Sequence, residues 1–522
     1  VSSDARRSHV SEAPQPPNPG PQDAWLKPER VAGLLIAFGV ALRLRLYFAN
    51  FSLEVAEAQL SLNLLERSYA ELLQPLAGDQ AAPIGFLLVK RLALDLLGNQ
   101  ELVLRLFPML CGIASLFLFR GLAKRILPPF AAHVALGLFA ISPQVIHFSS
   151  QVKQYSSDVA VTIFLLLAAT WARKRLLDAP SVAVLSVSGA VAIWFSHPAI
   201  FVLGGIGAAW ACSELFRRRY DSLAKLSLCG AVWGASFVAL YLISLQHVTS
   251  NSFLMSYWGR AFMPLPPTSI DDLKWFPETF FGTFRDPGGL FTFGLAAASF
   301  AIGVDSLARR DPEACAMLVA PVLLALLASG LGRFPFSGRV ILFVVPVLLL
   351  FIGEGIDRVR RLTWSATPAI TLVLVGVLVF DPLVSQTLRL LRPRTIDDPR
   401  SVFAYLGGRI QNGDEIYLYN DAISLFRYYA PRFGLGDRPY VMGSSAESNW
   451  EVDVQDLQAL RGRPRVWLVF THIHGRDDHR SEEDFFVFEL NRMGRQLDSF
   501  RAPDAAVYLY DLARPPSAEA PH

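Results

Sequence analysis

The sequence predicts an α-helical polytopic membrane protein of about eleven transmembrane helices followed by a C-terminal soluble α/β domain. Three observations carry this prediction. The 522 residues are 52% hydrophobic and only 18% charged, too apolar for a water-soluble chain of this size. The apolar residues gather into runs long enough to cross a bilayer. From about residue 390 those runs stop, and short segments of strand character replace them.

Residues 1–28 are rich in Pro, Ser and charge and read as a disordered cytoplasmic N-terminus. The first span is expected to act as an uncleaved anchor. Spanning runs follow near 31–49, 105–121, 130–148, 157–172, 181–196, 199–216, 226–246, 289–308, 313–332, 339–357 and 365–385. Basic clusters at Lys124/Arg125, Arg173–Arg175, Arg217–Arg219, Arg309/Arg310 and Arg358–Arg361 fall after alternate runs. Placing all of them in the cytoplasm obeys the positive-inside rule. The run 83–98 contains Lys90, Arg91 and Asp95. Reading it as an amphipathic helix on the outer surface, with Lys90 and Arg91 as surface anchors, keeps every basic cluster inside. The membrane domain then covers 29–388, and its long loops, 50–104 and 247–288, are external.

The external α/β domain is expected over 389–515, with 516–522 as a disordered tail. Strands are predicted at 415–419, 465–470 and 506–510, and helices near 421–431, 453–461 and 482–493. No Gly-rich nucleotide loop occurs. With net charge +3 and basic residues scattered in small clusters, no nucleic-acid partner is implied. Cys111, Cys212, Cys229 and Cys315 all lie within apolar runs and read as small buried hydrophobes.

Chemistry concentrates in the first external loop. Phe51–Leu60 places Glu54 and Glu57 three residues apart, on one face if helical, directly after the first span. Acids at a membrane boundary are costly unless used, and these could take a proton from an acceptor hydroxyl. A solvated acidic loop is the bland alternative.

The order of motifs resembles a known family. The loop continues through Asn63, Glu66, Arg67 and Ser68, then Glu71–Leu76 and Gln80–Gly85. Leu104-Arg-Leu-Phe-Pro108, Leu122–Arg125, Ser142-Pro143 and Ser149–Asp158 follow. This order is similar to the polytopic GT-C glycosyltransferases, the group of the protein O-mannosyltransferases and the lipid A aminoarabinose transferases. The resemblance covers about 30–385, most closely its first half. It implies transfer of a sugar from a polyprenyl-phosphate carrier to a lipid, glycan or protein hydroxyl on the non-cytoplasmic face of a bacterial inner membrane. A carboxylate of the first external loop would serve as base, and cations would hold the departing lipid phosphate. The family usually carries an adjacent Asp-Glu pair in that loop. Here the pair reads Ala56-Glu57, so the carboxylate role falls to Glu57 or Glu54, or the chain is catalytically impaired.

Other candidates follow from residue type and position, with the resemblance favouring Lys153. Lys153 is expected to pair with the carrier phosphate, with the alternative that it snorkels to lipid headgroups. Asp158 is a second acid near the acceptor or a helix cap. Gln151 stands where relatives often carry an acid. Arg333 and Arg339 flank an external turn, and Arg339, entering the next span, is the better phosphate ligand. Arg43 and Arg45 have the same two readings. Tyr155, Tyr257 and Arg260 are candidate substrate contacts, the last two within a Pro- and aromatic-rich loop that an interfacial belt also explains. The run Thr471–His479 is similar to the zinc motif of metallo-β-lactamases but has one residue too many before Asp478-His479, and it reads as a polar loop. A divalent metal ion is compatible with the resemblance, although no ligand cluster demands one. Two other classes remain: a transporter of lipid-linked sugar, and a non-catalytic GT-C relative that binds the carrier or scaffolds an assembly, for which Ala56 is the best argument.

Overall fold

The computed structural model describes residues 28–175, 177–249, 251–363, 367–391, 397–444, 450–473 and 482–513. The membrane domain begins with α1 (Pro28–Ala49), α2 (Val55–Glu66), α3 (Ile84–Leu97), α4 (Glu101–Ile126), α5 (Pro129–Ile141) and α6 (Pro143–Phe148). It continues with α7 (Tyr155–Lys174), α8 (Ala179–Phe195), α9 (Ala199–Phe216), α10 (Tyr220–Leu240), α11 (Gln246–Thr249), α12 (Ser252–Tyr257) and α13 (Ile270–Arg285). The last helices of this part are α14 (Phe293–Arg310), α15 (Pro312–Gly330), α16 (Val345–Thr363) and α17 (Pro368–Leu391).

Every apolar run of the sequence is helical, but eight rather than eleven helices among the described residues are long and apolar enough to span a membrane. The other three differ for physical reasons. α5 and α8 are apolar but have only 13 and 17 residues, so each falls short of the roughly 20 residues a bilayer requires. α14 carries Asp305, Arg309 and Arg310 within its 18 residues.

α16 is the hub, with every residue from Val345 to Asp357 buried. It packs against α14 at a glycine contact: a Cβ on Gly303 would lie 1.9 Å from the Phe351 carbonyl oxygen, and one on Gly355 would lie 1.8 Å from that of Ser299. Only small residues allow helix backbones this close. One end of the bundle gathers the basic clusters into ion pairs. Arg310 forks onto buried Glu354, which Arg361 also meets, while Arg173 reaches Asp311 and Arg217 reaches Glu313. The chain is therefore a multi-pass membrane protein with a basic end and an opposite end that carries α2, α3 and the α/β domain. Cys229 and Cys315 are buried as expected; Cys212 is instead exposed and Cys111 half-buried.

The α/β domain comprises α18 (Pro399–Arg409), β1 (Glu415–Leu418), α19 (Ala422–Tyr429), β2 (Tyr440–Met442), α20 (Trp450–Gln458), β3 (Val466–Thr471), α21 (Glu482–Met493), β4 (Arg495–Ala502) and β5 (Ala505–Asp511). The strand order is β2-β1-β3-β5-β4. β1 runs parallel to β2 and β3, and β5 is antiparallel to β3 and β4. β3 is buried at every residue, which matches the apolar run from Val466 to Phe470. One face of the sheet shares a hydrophobic core with α2, α3, α18 and α19, and the other packs against α20 and α21. The domain is thus fused to the first loop of the membrane part.

Candidate active site

The site is built around Val152, in the non-helical stretch between α6 and α7. Its N–H donates to Glu57 Oε1 at 2.6 Å, and its carbonyl accepts from Lys90 Nζ at 2.5 Å. Lys90 is 1% exposed. The expectation of a surface anchor is therefore wrong for this residue. α3 is amphipathic, with Leu92, Leu96 and Leu97 exposed, but Lys90 lies on its buried side with Phe86, Leu87 and Leu94. Burial beside Lys153 and Arg105 drives its pKa well below the usual lysine value, against the pull of Glu57. Arg91 donates to the Leu64 carbonyl at 2.7 Å and pairs with Asp95.

Glu57 has no free lone pair in its plane. Arg105, on α4, reaches it through Nη2 at 2.7 Å and Nε at 3.2 Å, Val152 N–H through Oε1, and Glu54 N–H through Oε2 at 3.1 Å. The last contact is one arm of a capping box at the start of α2. Both members of the Glu57–Arg105 pair are buried. Burial opposes the charge on Glu57, but Arg105 and the backbone donors outweigh it and hold its pKa below the usual carboxylate value. Arg105 also donates to the carbonyls of Phe51 and Ser52, at 2.6 and 3.2 Å. The Glu57–Arg105 pair therefore ties the first loop, α4 and the 149–154 stretch together. Arg105 and Lys90 were missed as site residues. The signal for both was present: a basic residue inside an apolar run needs a partner.

Glu54 is differently placed. It is the half-buried N-cap of α2, and Gln151 Nε2 donates to its Oε1 at 2.8 Å. The same amide meets His147 Nε2 at 2.9 Å. Burial first, then the charges of Glu57 and Asp397, raise the Glu54 carboxyl to about 7. Ala56 lies half-buried on the first turn of α2 and contributes no polar group.

Lys153 is 8% exposed and donates to Gln80 Oε1. Burial and the nearby Arg339 lower its pKa to about 7, while Glu57 and Glu54 act in the other direction. The Arg339 guanidinium lies 6.0 Å from the Tyr155 ring centroid and 5.7 Å from that of Trp258, and its Nε is buried without a hydrogen-bond partner among the described residues. Glu54, Glu57, Lys153, Arg339, Gln151 and Tyr155 therefore come together. Tyr257 is exposed but within electrostatic range of Tyr155. Arg333 and Arg260 are exposed on their loops, away from this cluster's hydrogen bonds. Asp158 is buried in α7, within electrostatic range of Tyr155 and near Ser196 and Cys111, and its Oδ1 has no hydrogen-bond partner among the described residues. Arg43 is fully buried and donates to the Gly39 and Ala140 carbonyls; Arg45 donates to the Leu390 carbonyl.

The α/β domain latches onto the loop that holds Glu54. Tyr429 Oη accepts from Leu53 N–H at 2.8 Å, Ser52 Oγ donates to Asp398 at 2.7 Å, and Arg400 donates to the Asn50 carbonyl at 2.6 Å. Farther out, Arg432 pairs with Glu101 at 2.7 Å. Asp397, His472 and Asp504 each bring one ligand atom within 4.8 Å of the others, a group that could hold a metal ion. Of the polar run singled out in the sequence, residues 474–479 lie outside the described residues.

No family sequence model and no curated protein matches the chain. Solved structures do. ArnT from Cupriavidus metallidurans bound to undecaprenyl phosphate matches at 14% identity over 91% of this chain and 98% of its own, with TM-score 0.54. The archaeal oligosaccharyltransferase AglB from Archaeoglobus fulgidus, in complex with an inhibitory peptide and a dolichol-phosphate, matches at 10% identity over 91% and 74%, TM-score 0.53. The Archaeoglobus fulgidus oligosaccharyltransferase in complex with Zn and sulfate matches at 12% identity over 92% and 73%, TM-score 0.52. Spanning the membrane helices and the α/β domain alike, these likenesses show that the chain has the GT-C fold.

Proposed function

We propose that this protein is a membrane glycosyltransferase that moves a sugar from a polyprenyl-phosphate carrier to an acceptor hydroxyl, at the end of the bundle bearing the α/β domain. What carries the proposal is the meeting of the buried carboxylates Glu54 and Glu57 with the cations Lys153 and Arg339 around a frame fixed by Arg105 and Val152, where burial raises the Glu54 carboxyl to about 7. A base tuned to working pH beside two phosphate-binding cations is what displacement at an anomeric carbon from a lipid phosphate requires. The GT-C fold agrees, as do the polyprenyl phosphates bound by the two relatives.

In this reading the acceptor hydroxyl gives its proton to Glu54 as its oxygen bonds to the anomeric carbon. The bond from that carbon to the carrier phosphate breaks, and the phosphate leaves with the electron pair. Lys153 holds that charge as a point cation, and Arg339 through its fork. Gln151 orients Glu54, and Tyr155 and Trp258 support Arg339. Glu57 is a positioning residue: with every lone pair engaged it keeps Glu54 and Val152 in place, so the base role passes to Glu54, the second of the two sequence candidates. Arg333, Arg260 and Tyr257 would meet the carrier or acceptor only at the rim, and Asp158 takes no part in proton transfer. Two carboxylates and an imidazole suit a divalent ion such as Zn²⁺, so Asp397, His472 and Asp504 would hold it. There it would add positive charge close to Glu54. The basic end would be cytoplasmic, by the positive-inside rule.

A non-catalytic carrier-binding role is the second reading, favoured by Ala56. Sugar transfer by purified protein in nanodiscs, with Glu54→Gln beside the wild type, decides between them. An enzyme loses turnover in the variant and keeps carrier binding, whereas a scaffold transfers nothing in either form.

A further inference from the structure

A cleft of about 250 Å³ opens outside the membrane bundle, between α2 and the start of α19. One wall is a single face of α2, formed by Gln59, Asn63 and Glu66 at helical spacing. The other wall belongs to the α/β domain and includes Asn420, Ser424 and Arg427. Asn63 is fixed by reciprocal bonds to Ala77, at 3.0 and 2.8 Å, and Arg427 forks onto Glu66 at 2.8 Å to each carboxylate oxygen.

We infer that this cleft is the acceptor subsite and that the acceptor is a neutral glycan. The inference rests on the glycosyltransferase reading above. Four observations support it. First, the lining presents the Asn420 amide, the amide nitrogen of Gln59 and the Ser424 hydroxyl, groups that match the donors and acceptors of sugar hydroxyls. Second, its cations are already engaged: Arg427 with Glu66, and Arg67 with the Pro75 carbonyl at 2.8 Å. The cleft therefore does not select a phosphate, and Asp421 on the same wall adds negative charge. Third, large apolar residues in the lining are confined to Leu62 and Ile423, too few to anchor an acyl chain or the side chains of a peptide.

The fourth is connection to the site. Gln59 Oε1 accepts from Gln80 Nε2 at 2.7 Å, and Gln80 Oε1 in turn accepts from Lys153. Along α2, Gln59 lies five residues beyond Glu54, about 7.5 Å of axial rise and about 140° around the helix, so the cleft meets the site through the Gln59–Gln80–Lys153 bonds and not across the Glu54 side of the helix. A glycan seated in the cleft would thus enter the site beside Gln80 and Lys153, where the departing carrier phosphate is held. The α/β domain, on this account, supplies half of the acceptor wall.

The test uses full-length protein in nanodiscs and two variants away from the base and the cations: the double Asn420→Ala/Ser424→Ala, and Ser424→Trp, which fills the cleft. Binding of arabinan, mannan, galactan and glucan hexasaccharides is read by saturation-transfer NMR, and transfer to crude envelope glycan by KM and kcat. Release of sugar from the polyprenyl-phosphate donor to water is followed in parallel. The inference predicts that at least one hexasaccharide binds the wild type. Its affinity then falls about tenfold in the double variant, the loss of roughly one net hydrogen bond, and further in Ser424→Trp. The acceptor KM rises in step, with kcat and donor hydrolysis unchanged. Binding and KM unchanged in both folded variants would overturn the inference, as would failure of every hexasaccharide to bind. Absence of any donor turnover in the wild type would instead overturn the glycosyltransferase reading, while saccharide binding would still report on the cleft.

Discussion

Glu54 and Glu57 lie three residues apart on one short helix, yet their surroundings assign them different roles, and exchanging each for Gln separates them. In Glu57→Gln, a neutral amide replaces a carboxylate that meets Arg105 at 2.7 Å, and both partners are buried. Removing one charge of a buried pair leaves the other uncompensated and costs about 3–5 kcal/mol. Of the four donors now converging on Glu57, the amide nitrogen of Gln accepts from none, so either the Val152 N–H and Arg105 Nε or the Glu54 N–H and Arg105 Nη2 lose their acceptor. The 149–154 stretch loosens, and with it both Lys153 and Gln151. Glu57→Gln should therefore lower the melting temperature and weaken donor binding together with turnover. Glu54→Gln removes one half-buried carboxylate whose side-chain partner, Gln151, can still hydrogen-bond to Gln. Its melting temperature and carrier affinity should stay near wild type, while turnover falls about 10²–10⁴-fold, the usual worth of a general base. The assay is single-turnover sugar transfer in nanodiscs, with thermal melts and carrier binding on the same preparations. A Glu54→Gln variant with wild-type turnover, beside a Glu57→Gln variant that melts normally and is inactive, would refute the assignment.

Three further predictions follow from the same geometry. Burial raises Glu54 to about 7 and lowers Lys153 to about 7. Since the base acts deprotonated and the lysine binds phosphate protonated, the rate should rise with pH up to about 7 and fall beyond it; Lys153→Arg, always charged, should flatten the alkaline limb and leave the acid limb. Tyr429→Phe leaves the Leu53 N–H without its acceptor, which should cost about 1–3 kcal/mol and lower kcat several-fold at constant donor KM, as read by melts and steady-state kinetics. If Asp397, His472 and Asp504 hold a metal, protein purified with Zn²⁺ should retain it by elemental analysis, and His472→Ala should lose most of it, while its fold, read by circular dichroism, is unchanged.

What was legible in the sequence follows burial. The bundle helices were readable because each carries a long apolar run, and β1, β3 and β5 because central strands are apolar at almost every position. The edge strands were not: β4, Arg495–Ala502, alternates largely between exposed and half-buried residues, and its composition resembles a loop. β2 is only three residues long. At the site, the sequence picked out Glu54, Glu57, Lys153 and Arg339, but not the partnership that separates the two acids. That depends on Arg105 and Val152, 48 and 95 residues beyond Glu57, contacts that no local pattern encodes. Lys90 was misplaced because helical periodicity alone does not reveal which face of α3 meets the 149–154 stretch.

The measurement that bears most directly on the central claim is donor turnover. Purified protein in nanodiscs, given a panel of radiolabelled polyprenyl-phosphate sugars and crude envelope acceptor, should transfer sugar from at least one donor and release polyprenyl phosphate in equal amount, with both signals lost in Glu54→Gln. Carrier binding without transfer or release from any donor would contradict the account and leave a GT-C fold retained for binding alone.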